Sequence, residues 1–214
     1  MQRLLLRMFA VLIVSIACAA IGGMESRANN RLKIAYGSYT APFREAKPPV
    51  GWQQFCTISP SDCDVESLPA ASIRLDDASW KQIDAINKQV NHSIIEISDM
   101  DHYGVLDWWT YPDDGKGDCE DLQLLKRRIL ISSGYPRQAL MMTVVRDEQG
   151  EGHAVLMVRT DHGDFILDNK TDEVKNWQAT AYDFYKRQSQ ENPNEWVLIR
   201  DSSENADLVV SGLH

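Results

Sequence analysis

Between residues 139 and 167 the sequence runs as three apolar stretches separated by two polar turns, which leaves few architectures open. Residues 139–145 form the first stretch, and Asp147-Glu148-Gln149-Gly150 turns the chain. Residues 153–160 form the second, Asp161-His162-Gly163-Asp164 turns it again, and residues 165–167 begin the third. Connections this short join antiparallel neighbours. Residues 196–199 read as a further strand. Upstream, Leu122, Leu125 and Ile129 recur at helical spacing, with Asp118 to cap the start and Ser133-Gly134 followed by Pro136 to stop it. An earlier helix follows Asp76-Asp77, with Trp80, Ile83, Ile86, Val90 and Ile94 on one face and an acidic start that suits the helix dipole. Helices followed by antiparallel strands are an α+β layout, here with the helix that opens near Cys119 packed on the antiparallel sheet.

The remaining segments carry less pattern. Residues 31–50 are rich in turn formers and read as an extended arm. Residues 99–117 hold Tyr103, Trp108, Trp109, Tyr111 and Pro112 and end in the flexible run Asp113-Asp114-Gly115-Lys116-Gly117. Lys126-Arg127-Arg128 reads as a solvated face near a helix C-terminus, where cations are favoured. The chain has 214 residues, of which 43% are hydrophobic and 25% charged, as expected of one globular domain able to bury its own core. A formal net charge of −9 disfavours a nucleic-acid partner, and none is expected, because there is no basic surplus to neutralise phosphates.

The N-terminus reads as an export signal. Arg3 and Arg7 precede an apolar run over residues 8–21, and Ser26-Arg27-Ala28 offers small residues for cleavage after Ala28. The expected division is therefore a signal peptide over 1–28 and a catalytic domain over 29–214, in the periplasm. Cysteine use agrees. Cys18 leaves with the signal, and Cys56 and Cys63 close a short loop suited to a disulfide in an oxidising compartment. Cys119 is left unpaired, so it is either reactive or buried.

Three residues carry the chemistry: Cys119, His153 and Asp168, in that order along the chain. A thiol nucleophile needs a base to hold it as thiolate, and the base needs a third group to fix its tautomer. Cys119 stands at a helix start, where free backbone N–H groups favour a thiolate. His153 opens one strand and Asp168 follows the next. The strand register is the weak point. A two-residue turn at His162-Gly163 sets His153 opposite Asp172 and Asp168 opposite Met157. His153 and Asp168 then share a sheet face but stand about four residues, or about 13 Å, out of register. A bulge, or a loop two residues earlier, would close that gap.

Gly117-Asp118-Cys119-Glu120-Asp121 with Leu124-Leu125-Lys126-Arg127, Gly152-His153-Ala154-Val155-Leu156, and Ile166-Leu167-Asp168-Asn169 together resemble the bacterial transglutaminase-like cysteine proteinases. Phe55-Cys56…Cys63 and Trp108…Tyr111-Pro112 resemble the branch of that family found in many Gram-negative bacteria. The similarity spans about residues 36–200. It implies a papain-like, transglutaminase-like fold and a cysteine endopeptidase with Cys119, His153 and Asp168 as its triad. It also implies calcium as cofactor, with oxygens from Asp118 and Glu120, and a cell-envelope or surface protein such as an adhesin as substrate. A regulatory receptor in the inner membrane is a further expected partner. Calcium has a physical rationale as well. Asp118, Glu120 and Asp121 raise the thiol pKa, and a bound cation would neutralise them, with Asp113 and Asp114 as additional oxygen donors. The oxyanion donor is the N–H of Cys119 or a side chain such as Trp108 or Trp109. Two other readings use the same residues: an amidase or transglutaminase with a different acyl acceptor, and a non-catalytic binding module that keeps the fold.

Overall fold

The computed structural model describes residues 38–199. The expected signal segment over 1–28, with its cleavage site and Cys18, lies outside the described residues. None of the described helices is long and apolar enough to cross a membrane.

The chain order is β1 (Arg44–Ala46), α1 (Val50–Ile58), α2 (Asp77–Ser93), β2 (Ile95–Glu96), α3 (Asp99–Tyr103), β3 (Lys116–Gly117), α4 (Cys119–Ser132), β4 (Leu140–Arg146), β5 (Gly152–Thr160), β6 (Gly163–Leu167), β7 (Lys175–Asn176), β8 (Asp183–Gln188) and β9 (Trp196–Leu198). Seven strands form one antiparallel sheet in the order β1-β9-β8-β4-β5-β6-β7. The expected arm thus contributes an edge strand, β1. The mixed helix and antiparallel-sheet layout is the expected α+β class.

Alternation along the central strands sorts the core into two layers. Leu140, Met142 and Val144 of β4 and Ala154, Leu156 and Val158 of β5 join Leu122, Leu124 and Leu130 of α4 in the larger cluster. Met141, Val145, Val155, Met157, Ile166 and Phe184 form the smaller one on the opposite face. Helix α2 begins as the sequence predicts. The Asp76 side chain accepts from the N–H groups of Ala78 and Ser79, and Ser79 Oγ accepts from the Asp76 N–H, a reciprocal cap. Cys56 and Cys63 are disulfide-bonded as expected, which ties the end of α1 to the loop beyond it.

The basic run on α4 departs from its sequence reading. Lys126 and Arg127 are buried, not solvated. Arg127 Nε donates to the Leu140 carbonyl at 3.0 Å, and its guanidinium lies 6.0 Å from the centre of a Trp52 ring. Lys126 Nζ has no hydrogen-bond partner among the described residues, and burial pushes its pKa down to about 7. Helical spacing explains the error. Positions 126 and 127 fall on the stripe that continues Leu122, Gln123 and Leu130 against the sheet and α2.

Gly51 fixes how α1 meets the rest of the fold. A Cβ there would stand 2.1 Å from Cδ1 of Trp109, which is itself buried beside Trp52 and Trp196. Gly51→Ala is therefore expected to destabilise the protein by about 1–3 kcal/mol through overpacking. The check is a lower urea midpoint at unchanged slope.

Candidate active site

Cys119 is the first residue of α4 and is almost fully buried, 1% exposed. Its Sγ accepts from the N–H of Ala154 at 3.4 Å, the residue after His153 on β5. The thiol donates to Glu120 Oε2 at 3.1 Å. Burial, and then the charge of Asp118, pushes the thiol pKa well above its ordinary value. In this geometry Cys119 is a protonated thiol held next to an acid.

His153 and Asp168 meet directly. His153 Nε2 lies 2.9 Å from Asp168 Oδ1, and both side chains are buried. Burial alone would raise the carboxyl pKa. The bond and charge of His153, the Tyr182 hydroxyl at 2.5 Å on Oδ2 and the Lys170 N–H at 3.0 Å on Oδ1 outweigh it and hold Asp168 at about 2. An ionised carboxylate can only accept, so the imidazole proton sits on Nε2.

The turn that allows this sits one residue earlier than the sequence expectation, which moves the strand pairing by two residues. The β5–β6 turn is Asp161-His162, with Thr160 opposite Gly163 and Leu156 opposite Leu167. One more step along that ladder sets Asp168 opposite Val155, diagonal to His153 on the same face. A diagonal pair is within reach of long side chains, so the expected four-residue offset shrinks to two and no bulge is needed between these strands.

The acids around Cys119 form a single cluster larger than the sequence shows. Carboxylate oxygens of Asp99, Asp118 and Asp121 lie within 4.8 Å of one another, as do those of Asp99, Asp107 and Glu120. Three of these side chains share one arrangement: one oxygen is tethered and the other, buried, has no partner among the described residues. Asp118 Oδ2 accepts from the N–H of Asp99 at 3.3 Å and leaves Oδ1 alone. Asp121 Oδ1 accepts from the N–H of Thr110 at 2.8 Å and leaves Oδ2 alone. Glu120 Oε2 takes the Cys119 thiol and leaves Oε1 alone. Asp118 heads α4 but makes no side-chain cap, contrary to expectation.

Burial raises the pKa of Asp118 to about 7 and of Asp121 to about 9, and drives that of Glu120 well above its ordinary value. The orphaned, clustered, oxygen-only donors fit a hard cation such as calcium. Gly117 is part of this packing, since a Cβ there would lie 2.6 Å from Asp121 Oδ2.

Several expected contributors stand elsewhere. Asp113 pairs with Arg128 at 3.3 Å, and Asp114 binds His102 at 3.0 Å and the N–H of Lys116, so neither joins the cluster. Trp109 is a core residue whose Nε1–H donates to Asp107 at 2.8 Å, which removes it as an oxyanion donor. Asp107 also accepts from the N–H of Gly51 at 3.2 Å, and burial raises its pKa to about 6. Asp99 accepts from the N–H of Trp108. Asp99 and Tyr182 have no signature in the sequence. The available hint for Asp107 was its position directly before the two tryptophans.

A family model described as bacterial transglutaminase-like cysteine proteinase BTLCP matches residues 43–204, and the chain belongs to that family. It is accordingly a cysteine protease whose substrates are proteins. Among solved structures it is similar to Legionella pneumophila LapG, with 25% identity, a TM-score of 0.48 and coverage of 58% of this chain and 71% of that one. For the calcium-bound form of the same protein the identity is 20% and the TM-score 0.49, over 64% and 76% of the two chains. For the EGTA-treated form they are 24% and 0.49, over 60% and 71%. No curated protein matches the sequence.

Proposed function

We propose that this protein is an exported endopeptidase that acts in the periplasm on a cell-envelope or surface protein, such as an adhesin, through Cys119, His153 and Asp168. The observation that carries the proposal is the buried His153–Asp168 pair, on the same strand start whose Ala154 N–H holds the Cys119 sulfur. With Nε2 committed to Asp168, Nδ1 is the imidazole nitrogen left to take the thiol proton. Cys119 then attacks the scissile carbonyl carbon, and His153 returns the proton to the leaving amine. Water, activated by the same imidazole, releases the acyl group from the sulfur. Asp168 stays ionised throughout and holds the ring.

Calcium is proposed as the cofactor, held by Asp118 and Glu120 with Asp121, Asp99 and Asp107 completing the oxygen set. When bound, it supplies positive charge that offsets the acids at the start of α4. Glu120 matters doubly, because its carboxylate is also the group that holds the thiol proton in the present geometry. Release of that contact leaves Cys119 to His153. An inner-membrane regulatory receptor is proposed as partner, and the exposed apolar side chains Met100, Tyr103, Val105 and Leu106 beside the acid cluster offer it a surface.

The test is digestion of envelope proteins by the purified enzyme in calcium, with and without a primary amine. New protein N-termini in both conditions are expected of an endopeptidase. Incorporation of the amine without cleavage would instead make the protein a transglutaminase. Cleavage of neither kind would leave the binding-module reading.

A further inference from the structure

Tyr182 touches both members of the His153–Asp168 pair. Its hydroxyl donates to Asp168 Oδ2 at 2.5 Å, and its ring stands edge-on to the His153 imidazole, with centroids 5.7 Å apart and planes at 75°. The sheet explains the placement. Val145 of β4 lies opposite His153 of β5 on one side and opposite Phe184 of β8 on the other. Tyr182 is two residues before Phe184 and so shares its face. The β4–β8 register shifts between Val144 and Val145, and such an irregularity re-aims the side chains beside it.

Tyr182 also stands beside Asp168 where that carboxylate meets a surface cavity. It lines one surface cavity with Asp168, Thr171 and Thr180, and a second with Trp177 and Phe184. Burial, and then the charge of Asp168, raises the phenol pKa above its ordinary value, so the hydroxyl remains a donor across the neutral range. Without that hydroxyl, one oxygen of a buried carboxylate would lose its donor, a costly state. Asp168 would then be free to turn or to take up water from the cavity, and the imidazole it orients would turn with it.

We infer that Tyr182 is a positioning residue of this protease, acting through Asp168 on His153. The inference rests on the proposed roles of Cys119, His153 and Asp168. It assigns Tyr182 no contact with substrate.

The test uses iodoacetamide as the probe and the rate of Cys119 alkylation in calcium as the readout, so no substrate is required. Tyr182→Phe keeps the ring and removes the hydroxyl. It is expected to slow alkylation about tenfold, the scale of one hydrogen bond to a charged group, with Tm nearly unchanged. It is also expected to move the low-field proton resonance of the His153 Nε2–H, recorded in the Cys119→Ala background. 4-Aminophenylalanine at position 182 restores a donor and is expected to recover much of the rate. An alkylation rate within twofold of wild type, with the resonance unmoved, overturns the inference. So does a Tm loss that accounts for the rate loss while the resonance stays in place, because Tyr182 is then a packing residue only. His153→Ala separates the two levels. If it alkylates as fast as wild type, the role of His153 fails. If it is slow while Tyr182→Phe is fast, the tyrosine inference alone fails.

Discussion

Calcium added to chelator-stripped protein is expected to raise Tm by on the order of 10 °C near pH 8, and by much less near pH 5. The scale follows from about 4 kcal/mol of linkage at saturating ligand and about 2–4 °C per kcal/mol for a domain of this size. The pH dependence follows from the acid cluster. Unfolded carboxylates ionise near pH 4, at about the ordinary value. Asp118 and Asp121 in the folded protein hold their protons to about 7 and about 9, and Glu120 is raised further.

Between those limits the folded state binds more protons than the unfolded one. The contribution of the cluster is therefore fully present below about pH 4 and is lost as pH rises through the folded pKa values. Calcium requires the ionised carboxylates, so protons compete with it near pH 5 and the gain from binding is largest where the cation-free cluster is least stable. Lys126 runs the other way. Its folded pKa of about 7 is depressed, so its effect on stability becomes more favourable as pH rises through and above that value. Comparing calcium with chelator at each pH cancels that contribution. Asp118→Asn with Asp121→Asn is expected to raise the cation-free Tm near pH 8 and to abolish the calcium response. Equal calcium shifts at both pH values, or none, would contradict the assignment, as would a larger response to magnesium, which demands a tighter octahedral shell.

Asp168→Ala is expected to lower turnover by about 10³-fold or more, the scale seen when a triad loses its orienting group. The substitution strips the acceptor from three donors at once: His153 Nε2, the Tyr182 hydroxyl and the Lys170 N–H. His153 is then buried with no partner for its Nε2 proton, and the ring loses its tautomer and its direction. Asp168→Asn keeps an oxygen acceptor for that proton and is expected to retain more activity than the alanine variant. Alanine and asparagine variants both at wild-type turnover would remove Asp168 from the mechanism. Initial rates of envelope-protein cleavage at matched folded fractions provide the comparison.

The particular residues show what a sequence of this kind discloses. Cys119, His153 and Asp168 were visible because each sits at the boundary of a strongly patterned element, and apolar periodicity sets those boundaries. The β5–β6 turn lies one residue earlier than expected and the pairing shifts by two, because Asp161-His162-Gly163-Asp164 offers more than one turn of the same chemistry. Helix α1 was not visible. It follows Pro49, has no capping side chain, and is held by burial of Trp52 and Phe55. Strand β8 was hidden by its charge. Its Lys186, Arg187 and Gln188 are buried through specific bonds, such as Lys186 Nζ to the Lys47 carbonyl at 3.1 Å and Arg187 Nε to Thr40 at 3.2 Å. Asp99 and Asp107 enter the acid cluster from 20 and 12 positions before Cys119, along an aromatic segment with no period. Long-range convergence of this sort is a property of the packed chain, and local spacing does not encode it.

The most direct test of the account compares N-termini of envelope proteins after treatment with wild-type enzyme and with Cys119→Ala, both in calcium. Cys56 and Cys63 are joined, so Cys119 is the free thiol among the described residues, and the variant is expected to keep the fold, which its Tm checks. Wild type is expected to produce a small set of new N-termini, and the variant is expected to produce none, with turnover reduced by at least about 10⁴-fold. The same new N-termini, formed at wild-type rates by folded Cys119→Ala, would contradict the assignment of Cys119 as the nucleophile and the mechanism built on it.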